Sequence, residues 1–172
     1  SALGVSHVYA SPLLRARPGS THGYDVCDPT QINPEIGEEA DLGALVAALR
    51  ARGMGLVLDI VPNHMGVGGP ENPWWWDVLR HGRASRFADY FDIEWDSPNP
   101  GLRGKVLVPV LGDELERVLE RGELKVVCEN AEVTVRYFEH RFPVSPESIL
   151  VPGRFLEEAV AEFNANSQAL VR

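Results

Sequence analysis

The apolar positions of the chain change period several times, and each change marks an element. Leu56-Val57-Leu58-Asp59-Ile60-Val61 is a near-continuous apolar run followed by Pro62, Asn63 and His64. Runs of this kind mark a parallel strand buried on both faces. Residues 5–10 read as a second short strand, ended by Ser11-Pro12. Between the two, Leu42, Leu45, Val46 and Leu49 recur at i, i+3, i+4 and i+7, which predicts a helix over 38–52 with one apolar stripe. Glu38, Glu39 and Asp41 fall in its first turn and Arg50 and Arg52 in its last, as the helix dipole favours, and Gly53 supplies the stop. Strand, helix and strand form one βαβ crossover, which requires a parallel sheet. Residues 13–34 read as a polar, Gly/Pro-rich loop, densest at Ser20-Thr21-His22-Gly23-Tyr24-Asp25.

After residue 65 the rhythm changes. Residues 66–70 read as loop. Asn72-Pro73 predicts a helix start, with Asn72 as N-cap and Pro73 at the first helical position, and Gly82 ends that helix. Trp74, Trp75, Val78 and Leu79 share its apolar side, which points to core packing for both tryptophans. Trp76 faces elsewhere and is the candidate for a ligand or interdomain contact. Phe87, Tyr90, Phe91 and Trp95 make an aromatic patch. Residues 106–111 read as a strand, placed at an edge by Pro109. A short helix over 114–121 stops at Gly122, its Glu/Arg pattern being a solvated face. Residues 124–128 and 133–138 read as a hairpin about Asn130. A proline-rich connector (143–153) leads to an amphipathic helix from 154 to about 170, with Phe155, Leu156, Ala159, Val160 and Phe163 on one face.

The expected class is α/β: a partial barrel or open sheet over 1–65, and a mixed α+β insertion with its connecting helix over 66–172. A single βαβ unit has open edges on both strands, so further strands are expected from elsewhere in a parent protein. Ser1-Ala2-Leu3-Gly4 runs straight into a strand, so the start reads as a cut.

Composition narrows the partners. With 172 residues and 44% apolar content, the chain is long enough for one domain, or one with a small insertion. A net charge of −9 argues against nucleic acid or an anionic membrane as main partner and suits a neutral ligand. No window approaches the ~18 uninterrupted apolar residues of a membrane span, and no signal peptide opens the chain. Cys27 and Cys128 sit in no metal or redox spacing and read as free thiols in a reducing compartment.

The candidate chemistry lies past the second strand. Asp59 inside an apolar run needs a partner, and alone it reads as a carboxylate tying loops together. Asn63 and His64, just beyond the strand's carboxyl end, stand where α/β folds place their sites. His7, within a strand, and His81, near a helix carboxyl end, read as structural.

Two motifs carry a family resemblance. His22-Gly23-Tyr24-Asp25 after the first strand, and Asp59-Ile60-Val61-Pro62-Asn63-His64 at the end of the second, resemble the α-amylase superfamily of (β/α)8-barrel glucan-active enzymes. Within it, residues 13–25, 67–79, 90–95, 103–112 and 136–143 are similar to the maltooligosyltrehalose synthases, a likeness that runs to about residue 146. The resemblance implies barrel strands two and three of a TIM barrel, with an inserted α+β B domain leaving strand three. It implies an isomerase: an intramolecular transglucosylase that converts the reducing-end α-1,4 bond of a maltooligosaccharide into an α,α-1,1 bond, in cytoplasmic trehalose biosynthesis, with no cofactor; it does not imply a metal, and too few oxygen ligands are visible to argue for one.

Retaining glycosyl transfer needs two carboxyl groups about 5–5.5 Å apart. The family's nucleophile lies in a Gly-x-Arg-x-Asp segment at strand four and its acid/base Glu at strand five; neither segment occurs here, so this chain alone is expected to be inert. The resemblance places Tyr24 against the sugar ring and His64 on a hydroxyl of the same glucose. Asp25 and Asn63 belong to the same substrate-binding group, and His22 and Asp59 give structural support. The partners implied are a glucan and the rest of the barrel. Two alternatives stay open: a hydrolytic amylase relative, and a non-catalytic glucan-binding remnant.

Overall fold

The computed structural model describes residues 2–130 and 132–145, together with Glu158, Val160, Ala161, Asn164 and Ala165. The chain divides into two compact units, Ser1–Val67 with Glu71–Pro73, and Gly68–Pro70 with Trp74–Arg172.

The first unit contains the expected crossover. Strands β1 (His7–Ala10) and β4 (Gly55–Leu58) pair in parallel, with His7 opposite Gly55 and Ala10 opposite Leu58. Helix α1 (Glu39–Arg50) lies between them in the chain. The Glu38 N–H donates to Asp41 Oδ2 at 2.8 Å, which closes the amino end. Gly53, at φ +63°, lets the Met54 N–H turn back to the Leu49 carbonyl. Leu49 is buried, while Leu45 stays partly exposed.

Two expectations need correction in this unit. The stretch 13–34 is not all loop, because β2 (Leu14–Ala16) and β3 (Val26–Ile32) form an antiparallel pair inside it. Asp28 and Pro29 hide that pairing in the sequence. The Asp28 carboxylate accepts the Thr30 N–H at 2.9 Å and the Thr30 hydroxyl at 2.6 Å. Pro29 lies between the pairs Arg15–Asp28 and Leu14–Ile32, where the register shifts and no ladder donor is missed. The second correction is the length of β4, which ends at Leu58 rather than at residue 61. Its partner runs out at Ala10, whose carbonyl accepts the Asp59 N–H at 2.9 Å. Asp59 is therefore half-buried at the strand's carboxyl end, not enclosed within it.

The second unit is built on helix α2 (Pro73–His81), helix α3 (Leu115–Glu120) and a three-stranded antiparallel sheet of β5 (Leu124–Glu129), β6 (Glu132–Tyr137) and β7 (His140–Pro143). Val78 and Val118 are fully buried. Trp74 stacks on Phe87 with ring centroids 5.0 Å apart and meets Tyr90 edge-on at 4.7 Å. Trp75 packs on Phe91 at 5.0 Å. Both tryptophans thus have the packing role their spacing predicts.

Strand β7 goes beyond the predicted hairpin. Phe138, at φ +49°, sits in a two-residue turn whose closing pair is Tyr137 and His140, and a bulky residue in that conformation gives no turn signal. The expected strand over 106–111 forms no ladder. Its alternation is present, with Val106, Val108 and Val110 more covered than Leu107, Pro109 and Leu111. The Val110 N–H bonds locally to the Val108 carbonyl, and Pro109 has no N–H to give. The outer edge of β5 is occupied at Val126, whose N–H and carbonyl both bond the Asn164 side-chain amide, at 2.9 and 2.7 Å. The connector over 146–153 and most of the helix over 154–170 lie outside the described residues; the five described positions there are helical. Cys27 and Cys128 are both free. No helix among the described residues is long and apolar enough to cross a membrane.

Val118→Ala removes two fully buried methyl groups from α3. Chemical denaturation is expected to show a loss of about 2 kcal/mol for this variant.

Candidate functional site

The site is assembled at the carboxyl ends of the parallel strands, within the first unit. In β4 the two-residue period puts Val57 and Asp59 on one face. Tyr9 stands directly opposite Val57 on β1, so its side chain reaches the Asp59 carboxylate diagonally. The Tyr9 hydroxyl donates to Asp59 Oδ2 in a very short hydrogen bond. The Tyr24 hydroxyl donates to the same oxygen at 2.7 Å. Two phenols from segments far apart in the chain therefore converge on one carboxylate.

The protonation of this group follows from its hydrogen bonds. Donation by Tyr9, then by Tyr24, holds the Asp59 carboxyl below its ordinary value of 3.8. Bonding to Asp59 pushes the Tyr9 phenol up to about 12 and raises Tyr24 as well. Near neutral pH the carboxylate is ionised and both phenols keep their protons. Such a group positions side chains and supplies no general acid.

Tyr24 is held from three directions. Its hydroxyl bonds Asp59, its N–H donates to His22 Nδ1 at 3.0 Å, and its carbonyl accepts from His64 Nε2 at 3.1 Å. The preceding Gly23 adopts φ +79°, and an added Cβ would stand 2.7 Å from the Pro12 carbonyl oxygen. Only glycine fits there, and the turn it makes delivers the Tyr24 ring to Asp59. Tyr24 remains 39% exposed and Tyr9 65% exposed, so both residues present surface outward.

The remaining sequence candidates fall into place around this centre. His64 Nδ1 lies 3.0 Å from Asn63 Oδ1. Both ring nitrogens of His64 are thus engaged by the chain, and a sugar hydroxyl would have to replace one of these partners. Asp25 accepts the Ser20 hydroxyl at 2.5 Å and lies 3.8 Å from His22 Nδ1, so it is turned into its own loop. The loop after β4 is tied down by the Gly66 N–H bonding the Val26 carbonyl at 2.7 Å, and by Asn72 Nδ2 donating to the Gly66 carbonyl at 2.9 Å. Tyr9 was missed by the motif reading. Its signal is present in the strand pattern: a large phenol one residue before the end of β1, beside a carboxylate at the end of β4. Among the described residues no group of three or more His, Cys, Asp or Glu side chains forms a metal-holding cluster.

The pH limits of this group follow from the shifts. Asp59 is lowered, so its contribution to stability is full above 3.8 and fades as pH falls through its folded value. Tyr9 is raised, so its contribution is full below 10.0 and is lost as pH rises through about 12. Ultraviolet titration of the tyrosinates is expected to show a late-titrating class that Asp59→Asn brings back toward 10.0. An unchanged titration in that variant would separate Tyr9 from Asp59. Gly23→Ala is expected to lower stability by about 1–3 kcal/mol, through strain at positive φ and the clash with Pro12.

Comparison with known proteins identifies the family. The catalytic-domain model of alpha amylase matches residues 1–114. A Mycobacterium tuberculosis protein named "Putative maltooligosyl trehalose synthase" is 56% identical over 113 residues, 65% of this chain and 14% of that protein. The structure of maltooligosyltrehalose synthase from Arthrobacter ramosus aligns over 91% of this chain and 19% of its own, at 41% identity and TM-score 0.71. The intracellular maltogenic amylase of Bacillus subtilis is 40% identical over 91 residues, 53% of this chain and 15% of that enzyme. The chain therefore spans about a seventh to a fifth of the length of the relatives it matches. Its parallel β1–α1–β4 unit is part of a (β/α)8 barrel, and the chain belongs to the alpha-amylase family.

Proposed function

We propose that these residues serve a maltooligosyltrehalose synthase, in intramolecular transglucosylation at the reducing end of maltooligosaccharides. The observation that carries this reading is the identity to the Mycobacterium tuberculosis relative, higher and over a longer stretch than that to the maltogenic amylase. In this reading residues 1–65 supply barrel strands two and three. Residues 66–172 are the inserted B-type domain with its connecting helix. The whole enzyme acts in cytoplasmic trehalose biosynthesis, and the chain's first partner is the rest of its barrel. The exposed Val57, Leu58 and Ile60 on and beside β4 suit such packing.

The residue roles proposed are those the family resemblance implies, set against the geometry of the site. Tyr24 offers its ring face to the C–H groups of the glucose at the cleaved bond, while Asp59 and His64 hold it from behind. His64 and Asn63 meet that sugar's hydroxyls, His64 by exchanging an internal partner. Asp25 and His22 keep the Tyr24 loop in shape, and Tyr9 joins Asp59 in support. The nucleophile and the acid/base come from barrel strands outside these residues. The reaction keeps the released glucose as acceptor in place of water, and water exclusion is its special requirement.

The match to the maltogenic amylase favours a second reading, hydrolysis by the same barrel. Reducing-end assays separate them: the synthase removes reducing ends from maltopentaose and a hydrolase adds them. The 172-residue chain alone is expected to leave maltopentaose unchanged; turnover by the purified chain would refute the assignment of the catalytic carboxylates to other strands. In the complete enzyme, Tyr24→Ala is expected to lower kcat/KM on maltopentaose by about tenfold or more, the scale of one lost aromatic contact, and Tyr24→Phe by less.

A further inference from the structure

The sheet of the second unit carries a polar face whose charges are unusually arranged. Register sets Lys125 opposite Arg136 and Arg136 opposite Arg141. Residues directly opposite in antiparallel pairs project to the same side, so three cations stand abreast across β5, β6 and β7. Like charges in such positions destabilise a sheet. In a chain with 25 acidic against 16 basic residues, that row stands out. Among the described residues only Arg136 has an acidic partner, its Nη2 donating to Glu129 Oε2 at 2.6 Å.

The row borders a cavity of about 210 Å³ whose lining includes Trp76, Glu129, Glu132, Thr134, Arg136 and Arg141. Its carboxylates are already engaged. Glu129 holds Arg136, and Glu132 Oε1 accepts Trp76 Nε1 at 3.2 Å and Arg80 Nη2 at 2.8 Å. Its donors are not. The Nε–H of Arg136 is buried without an acceptor. Thr134 is only 9% exposed, and its hydroxyl has no partner among the described residues. Arg141 has no ion pair there either. A buried donor left unsatisfied is costly, so the Arg136 Nε–H asks for an acceptor, and the Thr134 hydroxyl and the exposed Arg141 guanidinium stand beside the same cavity. Counting Arg80, the group of three arginines and two glutamates has one positive charge in excess, and Lys125 adds to it. A neutral polyol would bring hydroxyl acceptors but no negative charge to offset the cations. An oxyanion brings acceptors and negative charge together, and guanidinium forks suit it.

We propose that this cavity binds a small oxyanion, a phosphate group either free or as the monoester of a small metabolite. The inference does not depend on the glucan reading. Calorimetric titration of the 172-residue chain with inorganic phosphate, and separately with glucose 6-phosphate, against chloride of equal ionic strength tests it. Saturable binding with Kd at or below about 1 mM is expected for at least one of the two. Arg141→Ala is expected to weaken it by about tenfold, the scale of one charge-assisted hydrogen bond, and Thr134→Val to weaken it less. Arg141 is exposed and unpaired, so that variant retains the fold, which circular dichroism verifies, with Arg141→Gln as the alternative replacement. Tighter binding of phosphate assigns the site to the free anion, and tighter binding of the ester to the metabolite. No saturable binding of either, or equal binding by the wild type and both variants, overturns the proposal.

Discussion

The first unit depends on one carboxylate. Asp59 stands where β4 loses its partner, and a charge at the end of an apolar strand is tolerable only with hydrogen bonds to it. Tyr9 and Tyr24 supply them on one oxygen. The consequence is geometric. Tyr9 belongs to the parallel pair itself and Tyr24 to a loop some fifteen residues further along the chain. Asp59 thereby fastens that loop to the sheet, and His64, a few residues beyond Asp59, closes the other side through the Tyr24 carbonyl. Ionised acceptor and protonated donors support one another, which is why the carboxylate shifts down and both phenols shift up. The result is an aromatic ring fixed in place with part of its face left open.

The second unit solves different problems with similar means. Its aromatic residues are spent on packing, where Trp74 and Trp75 fill the space against Phe87, Tyr90 and Phe91. One sheet face is apolar, with Val133 and Tyr137 buried, and the Tyr137 hydroxyl accepts the Gly112 N–H at 3.0 Å. The other face gathers charge. Glu132 serves both Trp76 and Arg80, so Trp76 is tied within its own unit by its polar edge. Donors outnumber acceptors around the adjoining cavity, and that imbalance sets its ligand chemistry.

Much of this was legible in the sequence wherever one physical signal dominated. The 3.6-residue stripe of Leu42, Leu45, Val46 and Leu49 gave α1, and Asn72-Pro73 marked the start of α2 to the residue. The parallel pairing of β1 with β4 followed from two apolar runs around a helix. Where signals conflicted, the reading failed. Asp28-Pro29 looks like a break, yet a self-satisfied carboxylate and a register shift let β3 run through it. Residues 106–111 alternate like a strand but find no ladder. Strand β7 hides behind a phenylalanine at positive φ. Around Asp59, the motifs that carry the family resemblance singled out Tyr24, Asp59, Asn63 and His64, and the structure brings these four together. Tyr9 belongs to no motif, and only the pairing register brings it to Asp59, which no local pattern encodes.

In the proposed enzyme, Asp59 holds Tyr24 so that its ring meets a sugar. Nuclear magnetic resonance of the tyrosine ring protons, recorded while maltotriose is titrated in, tests it most directly. Saturable shifts at Tyr24 that disappear in Asp59→Asn are expected. Saturable maltotriose binding that leaves the Tyr24 ring unmoved, or that persists at Tyr24 unchanged in Asp59→Asn, would contradict it.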